Sequence, residues 1–117
     1  MSGINDLNKL RAFLKTLEMP KTFDAMPRNE AENTFKKLQV IYNLSKSFID
    51  NYQRIGFNVK NDKLHDIVYS ICDNIYHFFE EFNNPDVSML PDFSKITYHY
   101  NQAIMGVYLF FSTDTEE

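Results

Sequence analysis

At 117 residues with 44% apolar side chains, eleven Phe and seven Tyr, the chain is one domain with a real core, and a disordered class is excluded. A net charge of −4 and a pI near 5.3 disfavour direct nucleic-acid binding. One cysteine, Cys72, leaves no internal disulfide and no cysteine pair for a metal. No apolar run has the length of a membrane span, and the N-terminal MSGINDLNKLR has no signal segment, so a cytoplasmic protein is expected.

In chain order, Ile4, Leu7, Leu10, Phe13, Leu14 and Leu17 recur three and four apart, which predicts a first helix over 4–17 with Ser2 as its cap. Pro20 closes it, and a connector over 19–28 follows, with Phe23 and Met26 packing over one end of the core. A long second helix is expected from Asn29, paired with Glu32 as a capping box, to Ile55 before Gly56. Its apolar line is Leu38, Ile41, Phe48, Tyr52 and Ile55, and the run Ser45-Lys46-Ser47 marks a place for a break.

The strongest periodicity lies over 64–82, where Leu64, Val68, Ile71, Ile75, Phe78 and Phe82 keep one line of a helix facing inward. Asn61 or Asp62 is expected to cap this third helix, and Asp66 complements its dipole. After a proline-containing loop, Phe93, Ile96, Tyr100, Ile104, Val107 and Phe111 predict a fourth helix over 92–111. KITYHY and VYLFF are rich in β-formers, but there is no second good strand to pair with them.

Four amphipathic segments on short connectors predict an all-α, single-domain antiparallel four-helix bundle over 1–112, with 113–117 as a disordered acidic tail. Such a fold does not choose a function.

Chemistry-bearing patterns are sparse. A carboxylate-bridged metal pair needs inward Glu residues and Glu-x-x-His repeats. Here the order is reversed, His77-Phe78-Phe79-Glu80, once, on a polar stripe, while His65 and His99 have no partner at ligand spacing. Cys72 sits among Val68, Ile71 and Ile75, the setting of a small core hydrophobe rather than a reactive thiol. Glu80 and Glu81 are adjacent, so they point about 100° apart and do not flank one bond. Neither a glycine-rich phosphate loop nor G-x-S-x-G occurs. The expectation is a non-enzymatic protein with no cofactor.

Two surfaces stand out. Asp66, Asp73, His77, Glu80 and Glu81 form an acidic stripe, continued by Asp86 and Asp92. Residues 1–60 hold ten Lys or Arg against six acids (+4) and residues 61–117 two against ten (−8), so the acidic half suits a basic partner. The second surface is IMGVYLFF over 104–111, apolar all round, where Tyr98, Met105 and Leu109 fall outside the core line. Either the 19–28 connector or another polypeptide should cover them, and Gly106 suggests a close approach of another backbone. The predicted function is binding of another protein, as an adaptor, a stoichiometric inhibitor or an immunity-type antagonist. The alternatives are a small-ligand or metal-carrying bundle and a structural homo-oligomer such as a dimer.

Overall fold

A computed structural model describes residues 2–19, 28–54, 58–83 and 93–115, with the side chains of residues 2–4, 28 and 93 outside that description. It contains four helices: α1 (Ser2–Thr16), α2 (Arg28–Asn51), α3 (Val59–Phe82) and α4 (Phe93–Asp114). Together they form the all-α four-helix bundle that the periodicities predict, about 50 Å long.

Side-chain contacts set the register, and each sequential pair is antiparallel. Asn51 donates to Asp6 (2.9 Å) at one end of α1 and α2, and Lys37 Nζ donates to the Glu18 carbonyl (2.7 Å) near the other. Tyr52 stacks on His65 at one end of α2 and α3, and Phe35 packs edge-on against Phe82 at the other. His99 meets Asn74, while Gly106 meets Ile71. Packing is extensive between α1 and α2, α2 and α3, and α3 and α4. Arg11 then links α1 to α4 through a two-pronged ion pair with Asp114, Nε to Oδ2 at 2.7 Å and Nη2 to Oδ1 at 2.9 Å.

The core is one cluster drawn from all four helices: Leu7, Leu10 and Leu14; Leu38, Ile41 and Phe48; Leu64, Val68, Ile71, Ile75 and Phe78; Ile96, Tyr100, Ala103, Ile104 and Phe110. The α3 line is as read from the sequence, except that Phe82 is only half-buried, at the last residue of the helix. On α4 the buried line runs Ile96, Tyr100, Ala103, Ile104 and Phe110, with Val107 and Phe111 only half-buried, because Ala103 is small and Gly106 draws that side of the helix onto α3.

Several boundaries differ from expectation. Asn58, not Asn61 or Asp62, caps α3: its side-chain oxygen accepts from the Asn61 amide at 2.9 Å. The first turn carries exposed Val59 and no core residue, so apolar periodicity cannot register it. α2 begins at Arg28, which places Asn29 inside its first turn, and it is continuous through Ser45-Lys46-Ser47 to Asn51. At 24 residues it equals α3 in length. α4 runs to Asp114, so Thr113 and Asp114 belong to the helix and not to a tail: Thr113 is buried and Asp114 is held by Arg11. The expected roles of Ile4, Phe23, Met26, Ile55, Gly56, Asp86, Asp92 and the Phe93 side chain, and of Ser2 as a cap, fall outside the described residues or side chains.

Candidate functional site

The acidic stripe of α3 divides into two environments. Asp66 lies two helical turns from Asp73 and belongs to a cluster joining the end of α2 to the start of α3. There Arg54 Nη2 donates to Asp66 Oδ1 (2.8 Å) and lies 3.1 Å from His65 Nδ1, which accepts from it when unprotonated. The Tyr52 hydroxyl donates to Asp62, and burial together with that bond pushes its pKa up to about 12. Both contacts tie the residues just past α2 to the start of α3. Asp66 is thereby neutralised locally, and Arg54 lowers its pKa.

Asp73, His77 and Glu80 are brought together. His77 lies 3.5 Å from Asp73 through Nε2 and 3.6 Å from Glu80 through Nδ1, one turn to either side. The α4 side of this group is one that sequence reading missed: the His99 ring stacks on His77 with centroids 5.2 Å apart and 27° between planes. Asn74 donates through its amide to the Ser70 carbonyl (2.9 Å), so its oxygen faces His99 Nδ1 at 3.1 Å and accepts that nitrogen's proton. Partial burial, then the neighbouring His77, lowers the His99 pKa below its ordinary 6.5, while Asp73, Glu81 and Glu80 oppose the shift. His65 and His99 therefore do have partners. Those of His99, Asn74 and His77, lie on α3, and those of His65 include Tyr52 and Arg54 just past the end of α2, at sequence separations that helical spacing does not encode.

Glu81 is half-buried, next to this group. Among the described residues, no three or more His, Cys, Asp or Glu side chains are placed to hold a metal ion together. The nearby cleft between α2 and α3, about 160 Å³, is lined by Tyr42, Lys46, Ile49, Asp50, Tyr69, Cys72, Asp73 and Tyr76. Neither His77 nor His99 faces it, and Lys46 is paired with Asp50 at 3.6 Å. Cys72 is half-buried at its wall, and desolvation pushes the thiol pKa up, away from the nucleophilic thiolate. Among the described residues, the cleft brings no histidine to the Cys72 thiol.

The apolar residues named for the second surface are exposed. On α4, Tyr98 (57%), Met105 (61%), Tyr108 (61%) and Leu109 (54%) are each more than half exposed. Steps of seven and four place Tyr98, Met105 and Leu109 on a single stripe, with Tyr108 beside it. Between Lys95 and Asp114 the helix has no Lys, Arg, Asp or Glu. Protein-family profiles, curated proteins and solved structures contain no match to this chain.

Gly106 is explained from within the fold. A Cβ there would lie 2.6 Å from Ile71 Cγ1, so the close approach expected at this glycine is made by an α3 side chain and not by a partner's backbone. Tyr108 escaped the sequence reading because it lies a quarter-turn off the stripe. No helix among the described residues is long and apolar enough to cross a membrane.

Proposed function

We propose that this chain is a non-enzymatic protein-binding module, and that the exposed face of α4 is its binding surface. The observation that supports this is the exposure of Tyr98, Met105, Tyr108 and Leu109 along one uncharged helix face. Apolar side chains gathered in this way mark interaction sites, whereas scattered ones carry no such meaning. Tyrosine and methionine are favoured at such centres: the ring brings area at low entropic cost and the thioether adapts to its partner. A helical bundle with an exposed apolar patch suits an adaptor, a stoichiometric inhibitor or an antagonist.

Asp73, His77 and Glu80 form a second polar surface on α3, where no Lys or Arg occurs after Lys63. It favours a basic rim on whatever polypeptide sits nearby, since charged rims set orientation and on-rate more than affinity.

Affinity capture from a lysate of the source organism tests the assignment, with wild type, Leu109→Asp and an Asp73→Lys, Glu80→Lys double variant as parallel baits. Retention by wild type and the α3 variant, with loss from Leu109→Asp, is the expected result. Loss from the α3 variant alone would move the site to the acidic stripe. Capture of colour or stoichiometric metal with the wild-type protein would overturn the reading in favour of a carrier bundle.

A further inference from the structure

We infer that the stacked pair His77–His99 is an acid-sensitive latch, which holds α4 against α3 while His99 is neutral and loosens when His99 takes up a proton. The two rings lie 5.2 Å apart with 27° between planes, one on each helix, so the pair bridges the α3–α4 seam. Asn74 fixes the His99 tautomer: its oxygen accepts from Nδ1 at 3.1 Å, while its own amide is committed to the Ser70 carbonyl. A proton added to His99 therefore goes to Nε2 and makes the ring a cation.

The two rings receive such a charge differently. A cationic His77 has a carboxylate on either side, Asp73 at 3.5 Å from Nε2 and Glu80 at 3.6 Å from Nδ1, and it is partly open to water. A cationic His99 is partly desolvated, its Nδ1 faces an uncharged amide oxygen, and its ring lies against His77. Around the pair, α3 also brings half-buried Glu81, while α4 carries Lys95 one turn before His99, with an interaction of its own. The rings of Tyr76 and Tyr98 stand edge-on to His77 and His99. Burial and the His77 charge outweigh Asp73, Glu81 and Glu80, so His99 holds a proton less readily than an ordinary histidine.

The sign of the effect follows. In the unfolded chain His99 takes its proton near 6.5, and in the folded chain only at lower pH. Between those values the unfolded state binds more protons, so stability falls as the pH drops through this window and levels off below it. Asp114 titrates below 3.8, so its pair with Arg11 stays charged across the window. α1 and α2 contain no histidine, which confines the loss from this pair to the α3–α4 side of the bundle.

Ring-proton magnetic resonance on the full chain, from about pH 8 to 4.5, reads the latch directly. The His99 midpoint is expected below 6.5, and His77→Gln should raise it toward that value. Urea unfolding measures the linked loss. From about pH 7.5 to 5 the wild-type folding constant should fall relative to that of His99→Gln, approaching tenfold for each pH unit by which the midpoint lies below 6.5. Only the dependence on pH is compared, so a constant cost of losing the ring does not enter. Amide-exchange protection, corrected for intrinsic rates, should fall more on α4 than on α1 over the same range. A His99 midpoint at or above 6.5 overturns the latch, as does the same pH dependence in wild type and His99→Gln. A midpoint unmoved by His77→Gln overturns the pairing, and an equal loss of protection on α1 and α4 overturns the release of α4.

Discussion

Ser45 is fully buried in the middle of α2, and its hydroxyl has no hydrogen-bond partner. A hydroxyl moved from water into an apolar setting without a partner costs about 1–3 kcal/mol, and alanine there removes the group while raising helix propensity. Ser45→Ala is therefore expected to stabilise the protein by about 1 kcal/mol, read as a higher urea midpoint at unchanged slope. A loss of stability would show that the hydroxyl is satisfied, by the Ile41 carbonyl one turn back or by water. Thr34 supplies the contrast: it is equally buried in the same helix, but its hydroxyl donates to the Glu30 carbonyl at 2.9 Å. The sequence marks Ser45 only as a place for a break in α2. Continuity follows from the residues on either side, because Ile41 and Phe48 are both buried in the core, and interrupting the helix between them would rotate one out of it.

At the scale of the element, α3 shows how far apolar spacing carries a reading and where it stops. Its five buried residues, Leu64, Val68, Ile71, Ile75 and Phe78, are legible because each lies on a line set by helix geometry. Its true start at Val59 is not, because Asn58 acts through one hydrogen bond and leaves no periodic trace. On α4 the exposed stripe at Tyr98, Met105 and Leu109 is legible as apolar residues in excess of what one core face needs, whereas the pairing of His77 with His99 depends on inter-helix register. Gly106 fixes that register. Gly106→Ala places a methyl 2.6 Å from Ile71 Cγ1, an atom near the backbone that is not the free end of a flexible chain. Overpacking costs about 1–3 kcal/mol, against about 1 kcal/mol of helix propensity gained, so a net loss of about 1 kcal/mol is expected. Ile71→Ala in the same chain relieves the clash. A double-mutant cycle in denaturant should then show the pair less destabilised than the sum of the singles, and simple additivity would mean that Ile71 swings aside freely.

For the whole molecule, the question is what holds the first helix to the last. α1 packs mainly on α2, and α4 mainly on α3, so the Arg11–Asp114 pair is a direct polar link between the chain's two ends. Both partners are largely shielded and the guanidinium engages both carboxylate oxygens, which sets this contact apart from exposed pairs such as Lys46–Asp50. Like the Arg54–Asp66 pair, it brings opposite charges of the two halves of the sequence to close range. The Arg11 hydrogen bonds hold the Asp114 carboxyl below its ordinary 3.8, against the opposing effect of burial. In the unfolded chain Asp114 takes its proton near 3.8, while in the folded state it does so only at lower pH. Between those values the unfolded state binds more protons, and stability rises with pH. The contribution is complete above the unfolded value and is lost as pH falls through the folded one. Arg11→Ala is expected to cost about 1–2 kcal/mol at pH 7 and progressively less as the pH falls below the ordinary 3.8, so that the two stability curves converge in acid. Curves that stay parallel from pH 7 to pH 2 would assign the loss to Arg11's packing, and the bundle would then be closed by its apolar core without help from this ion pair.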